Sequence, residues 1–110
     1  PMIRGMLSSI HLELTEAGAA IDWQQMFETS YAAEPFIDVM PKGLYPDTRS
    51  VRASNRLRIG IHQDNARAEL TVIVVQDNLV KGAAGQAVQN MNVMFGFDES
   101  MGLDFAPIVP

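Results

Sequence analysis

The chain contains no cysteine. That absence removes disulfides, thiolate metal centres and any cysteine nucleophile at once. Aromatic residues are scarce at 7%, and positive charge is in short supply: eight Lys and Arg stand against thirteen Asp and Glu, a formal net charge of −5. Nucleic-acid surfaces need clustered cations to neutralise phosphate, so no nucleic-acid partner is expected. No apolar run approaches the roughly 20 residues of a membrane helix, and no signal-peptide pattern appears. No membrane partner is expected either, and a cytoplasmic location is compatible with the missing cysteine. What is present is one small domain's worth of chain, 110 residues of which 47% are hydrophobic, enough to build a core.

Pro1 precedes Met2, and a strand-like pattern follows with no lead-in, so the start reads as the interior of a longer polypeptide. Pro107, Pro110 and an apolar tail read as a natural end. Residues 8–15 alternate, with Ile10, Leu12 and Leu14 on one face and His11 and Glu13 on the other, which predicts a half-buried strand. Residues 17–20 predict a turn. Asp22 then opens an amphipathic helix over 21–33, with Trp23, Met26, Phe27 and Tyr31 at helical spacing and Pro35 as its stop.

A short strand is expected over 36–40, a loop over 41–47 and a short extended piece over 48–53. Strands over 55–63 and 68–76 flank Asp64-Asn65-Ala66-Arg67, a hairpin signal. The second of them is apolar on both faces and should be central. A last helix over 82–95 ends at Gly96. The order strand, helix, several strands, helix predicts an α+β fold, a mixed and largely antiparallel sheet with helices on one face. So apolar a sheet in so short a chain suggests an oligomer or a missing partner domain.

The chain carries no recognisable catalytic set. His11 and His62 fall on the polar sides of their strands, where solvent exposure explains them better than catalysis. No spacing suggests a metal, and no base and acid accompany a serine. Arg49, Arg52, Arg56 and Arg58 crowd one region, as an anion site or as ion pairs on an exposed strand face or across an interface. Lys81 stands before a cluster of small residues, Gly82, Ala83, Ala84 and Gly85, at the start of the last helix. Such residues admit either a flat ligand or a tightly packed backbone, and a helix start offers unsatisfied N–H groups. Gln86, Gln89 and Asn90 share one side of that helix; Ala87, Met91, Met94 and Phe95 form its apolar side.

The run Asp77-Asn78-Leu79-Val80-Lys81-Gly82-Ala83-Ala84-Gly85-Gln86-Ala87-Val88-Gln89-Asn90-Met91-Asn92 carries the most specific signal. With Met94-Phe95-Gly96 and Gly102-Leu103 after it, it resembles the C-terminal end of the N-acetyl-gamma-glutamyl-phosphate reductases. Pro1-Met2-Ile3-Arg4-Gly5, residues 31–36 and Val51-Arg52-Ala53-Ser54-Asn55 are similar to that family in the same order. The resemblance spans essentially the whole chain.

It implies an enzyme of arginine biosynthesis, related to the aspartate-semialdehyde dehydrogenases, that reduces an acyl phosphate with NADPH through a cysteine thioester and a histidine acid–base. It also implies a Rossmann domain joined to an α+β catalytic and dimerisation domain like that of glyceraldehyde-3-phosphate dehydrogenase. The chain departs from this pattern: it has no cysteine, the family's histidine precedes the Pro1 motif, and the glycine-rich nucleotide fingerprint is missing. By resemblance, then, residues 1–110 are a C-terminal catalytic and dimerisation fragment, inactive alone, whose helix 82–95 packs on an absent nucleotide-binding domain. Gly82, Ala83, Ala84, Gln86 and Asn90 are implied against the NADP nicotinamide, Arg4 and Lys81 near the anionic substrate, and the assembly as a homo-oligomer, dimer or tetramer. The alternative is a stand-alone dimerisation or binding module.

Overall fold

The computed structural model describes residues 2–108; Pro1, which opens the first motif, and Pro110 lie outside the described residues. Four strands form one sheet in the order β1 (Met6–Glu13), β4 (Glu69–Gln76), β3 (Leu57–Asp64), β2 (Ile37–Val39). β1 runs antiparallel to β4 from the pair Met6 and Gln76 to the pair Glu13 and Glu69. β3 is antiparallel to β4 on its other side, and only β2 is parallel to its neighbour. The fold is α+β with a mixed, largely antiparallel sheet, and β4 is central as its apolar sequence requires.

Local chemistry explains each element. Asp64 Oδ1 accepts from the N–H groups of Ala66 (3.0 Å) and Arg67 (3.3 Å), which closes the β3–β4 hairpin. Asp22 caps helix α2 (Trp23–Tyr31) by accepting from the Gln25 N–H at 3.1 Å. Trp23, Phe27 and Tyr31 project from α2 onto Ile59, Ile61, Leu70 and Val72, the centre of the core. The segment expected as a turn over 17–20 is a one-turn helix, α1 (Glu16–Ala19), because Thr15 accepts from the Gly18 N–H.

The extended piece expected over 48–53 is not formed. Thr48–Val51 is a 3₁₀ turn instead. Asp47 accepts from the Ser50 N–H at 3.0 Å and the Ser50 hydroxyl donates back to the Asp47 carbonyl at 2.6 Å, a cap that overrides the strand pattern. Beneath it Val51 and Val75 are fully buried.

α2 packs on β2 and β3 and leaves β1 uncovered. Met6, Leu7, Ile10 and Leu12 of β1 are therefore exposed, on both faces of the strand. The molecule is a slab of 44 × 36 × 19 Å with a radius of gyration of 15.4 Å. A compact chain of this length has a radius of about 13 Å.

Candidate functional site at the head of the last helix

After β4 the chain makes a π-helical turn, Val80–Ala84, and continues as α3 (Gly85–Phe95). The Gly82 N–H donates to the Asp77 carbonyl at 2.9 Å and the Ala84 N–H to the Leu79 carbonyl at 3.2 Å, each five residues back. Gly96, at φ 71°, accepts the left-handed conformation that ends α3.

Asp77 organises this turn. Its carboxylate is fully buried. Oδ1 accepts from the N–H groups of Leu79 (2.8 Å) and Val80 (3.0 Å), and Oδ2 from the Ala53 N–H (2.6 Å) and Arg4 Nη1 (3.3 Å). Burial opposes its charge, but the three backbone N–H groups and Arg4 outweigh that and hold the carboxyl below the usual aspartate range. The neighbouring Asn78 accepts from the Gly5 N–H at 2.8 Å. Asp77 and Asn78 thus tie together the Arg4 segment, the left-handed Ala53 (φ 56°) and the start of the turn.

A second buried polar group lies under the turn. Gln89 Oε1 accepts from both Lys81 Nζ (2.7 Å) and Asn55 Nδ2 (3.0 Å), while Gln89 Nε2 donates to Glu99 at 2.6 Å. The Lys81 ammonium also sits 5.4 Å from the centre of the Phe36 ring. Burial pushes the Lys81 pKa down, and Glu99 and Glu34 offset part of that shift. Gly85 makes the arrangement possible: a Cβ there would overlap Asn55 Oδ1 and approach the Val80 carbonyl to 2.9 Å.

The residues expected to meet a cofactor do come together. Gly82, Ala83 and Ala84 form an exposed ridge on the turn, and Gln86 Nε2 donates to Asn90 Oδ1 at 2.9 Å one helical turn further on. Gln89 separates from them. It and Asn92 face inward, Asn92 Nδ2 donating to the carbonyls of Glu99 (3.2 Å) and Met101 (2.9 Å). The apolar side of α3 faces outward instead: Met91, Val93, Met94 and Phe95 are exposed, Met94 at 80% and Phe95 at 70%. This helix buries two of its amides, Gln89 and Asn92, and presents its hydrophobic residues.

The arginines divide. Arg58 Nε stands 2.9 Å from Asp38 Oδ2, at ion-pair distance though not aligned as a hydrogen bond, and Arg56 lies 3.8 Å from Asp104. Arg49 and Arg52 turn instead to a cavity shared with Arg4. His11 and His62 are exposed, His11 bonded to Ser9 and Thr71, His62 against the Tyr45 ring. A cavity of about 390 Å³ beside His62 lies at the far end of β3 from the turn and gathers no catalytic set. Among the described residues no three His, Asp or Glu side chains converge on a metal position, and no helix is long and apolar enough to cross a membrane. The organising roles of Asp77 and Asn55 were not foreseen. Asp77 has a local signal, an Asx turn that accepts from the second and third residues after it; Asn55 has none.

A family model described as semialdehyde dehydrogenase, dimerisation domain, matches residues 1–78. N-acetyl-gamma-glutamyl-phosphate reductase from Psychrobacter arcticus is 88% identical over all 110 residues, and the chain covers 31% of that protein. The protein of the same name from Bordetella pertussis is 56% identical, again over the whole chain and 31% of its own length. The chain thus spans about a third of the curated relatives it matches. Among solved structures, aspartate semialdehyde dehydrogenase II from Vibrio cholerae superposes with a TM-score of 0.64 at 21% identity, over 84% of this chain and 28% of that one, a likeness of fold. With the family model matched over most of its length, the chain belongs to the semialdehyde dehydrogenase dimerisation-domain family.

Proposed function

We propose that the chain is the C-terminal portion of an NADPH-dependent N-acetyl-gamma-glutamyl-phosphate reductase, a cytoplasmic homo-oligomer that reduces an acyl phosphate to a semialdehyde in arginine biosynthesis. It supplies the subunit interface and one wall of the active site; the nucleophilic cysteine, the histidine and the Rossmann domain lie outside it. The observation that carries this reading is the outward apolar side of α3 beneath an exposed ridge of small residues. Burying Met91, Met94 and Phe95 on a second domain would contribute roughly 1.5–3 kcal/mol each.

The ridge suits a nicotinamide. Gly82, Ala83 and Ala84 offer no side chain beyond a methyl, and the Gln86–Asn90 pair holds amide donors and acceptors beside them. When bound, that ring supplies the hydride. This chain's residues bind and orient it, exclude water from its face, and through Arg4 attract the substrate's anionic group. Lys81 contributes its charge from beneath the turn, braced on Gln89.

The test is Ala84→Phe. In the full-length reductase we expect the KM for NADPH to rise about tenfold or more by steric exclusion, while the 110-residue chain carrying the same change melts as before. An unchanged KM would sink the placement of the cofactor. The chain alone should show no NADPH oxidation with an acyl phosphate. Native mass spectrometry separates the stand-alone module, which would be found at the mass of this chain.

A further inference from the structure

Four pieces of chain meet at the Gln89 side chain, which is only 8% exposed. They are the loop holding Asn55, the π turn with Lys81, α3 itself, and the segment after it with Glu99. Donor and acceptor chemistry leaves one way to join them. The Lys81 ammonium only donates, so it takes the amide oxygen; the Glu99 carboxylate accepts, so it takes the amide nitrogen. Asn55 must then turn its NH₂ to the same Gln89 oxygen. That leaves Asn55 Oδ1 fully buried against Gly85, with no hydrogen-bond partner among the described residues. An unpaired buried acceptor is costly, so the order of bonds around Gln89 is the constraint that wins.

The amide stands between an ammonium and a carboxylate. Lys81 forms no direct ion pair among the described residues, and it is linked to Glu99 through Gln89. Glu99 is itself held in place. Asn92 Nδ2 binds the carbonyls of Glu99 and Met101, Leu103 is buried, and the Ile108 N–H donates to the Arg52 carbonyl at 3.0 Å. The segment after α3 thus returns from the end of the helix to the loop before β3. Asp77 pins the base of the Gly82–Ala84 ridge, and Gln89 braces it from beneath through Lys81, the residue before Gly82.

We infer, on the cofactor placement proposed above, that Gln89 is a positioning residue. Its amide sets the height of the Gly82–Ala84 ridge against the nicotinamide without touching the ligand, and the segment after α3 acts on the ridge through it. The test is a charge swap in the full-length reductase, with thermal melting recorded for each variant. Gln89→Glu sets a second carboxylate against Glu99, across a contact of 2.6 Å. It should raise the KM for NADPH about tenfold and change the KM for the acyl phosphate by less than about twofold. Adding Glu99→Gln rebuilds the same bonds with the negative charge moved to position 89. The pair should return to within about twofold of the wild-type KM for NADPH. Gln89→Leu has no acceptor for Lys81 or Asn55 and should stay impaired with or without Glu99→Gln. An unchanged KM for NADPH in Gln89→Glu, no recovery in the swapped pair, or equal rises in both KM values would overturn the role. Should Gln89→Glu not fold, the pair decides alone: a folded enzyme with the wild-type KM supports the role, and a raised one overturns it. Normal Gln89 variants beside an impaired Ala84→Phe sink the positioning role only. An unchanged KM in Ala84→Phe sinks the cofactor placement and this role with it.

Discussion

Asp77 shows how one residue can hold a turn in place. Its carboxylate is sealed from solvent, and each bond it accepts comes from a different piece of backbone or from Arg4. Asp77→Asn presents an amide NH₂ where two donors already point, so we expect a loss of about 3 kcal/mol in urea unfolding. The pH dependence follows from the direction of its shift. Because the folded-state pKa lies below the ordinary 3.8, the stabilisation is complete above that value and is lost as pH falls through the lower, folded one. Unfolding free energies measured from about pH 5 to about pH 2 should fall more steeply in the wild type than in Asp77→Asn. Parallel slopes would show that another acid governs the acid limb. Only half of this was legible from the run of residues around Asp77 alone. The bonds to Leu79 and Val80 are local, but the Ala53 N–H lies 24 positions away and the Arg4 guanidinium 73.

At the scale of elements, the strands and helix α2 were readable because their signals are local: alternation in β1, the Asp-led hairpin, the Asp22 cap. The 3₁₀ turn was missed because the Asp47–Ser50 cap competes with an extended pattern and wins. The orientation of α3 was illegible for a different reason. Amphipathicity divides a helix into two sides but does not say which one meets its own chain, and here the side with Gln89 and Asn92 does, while the apolar side faces out. The π turn sets that choice: its extra residue rotates everything downstream by about 100° relative to an uninterrupted helix. Two glycines of the turn then behave oppositely. Gly85→Ala must push aside Asn55 or the Val80 carbonyl and should cost about 2 kcal/mol. Gly82→Ala meets only ordinary contacts, 3.4 Å from the Asp77 carbonyl, and should leave the chain equal or up to about 1 kcal/mol more stable. Thermal unfolding of the two variants side by side checks this, and equal losses would contradict the packing described.

For the whole molecule, the exposed strand β1 is where self-association is proposed. Ile10 and Leu12 stay 44% and 46% exposed beside the buried Val72 and Leu70 of β4. The double change Ile10→Lys and Leu12→Lys should shift the protein toward monomer in sedimentation velocity; an unchanged distribution would move the interface elsewhere. The slab-like shape carries a further consequence. A body only 19 Å thick has too much surface for its volume to be strongly stable alone. If the proposed association through β1 forms, it supplies part of the free energy that keeps each copy folded, and folding and assembly become one linked equilibrium. The melting point would then be a property of the solution as much as of the chain, and dilution would act on it as a denaturant.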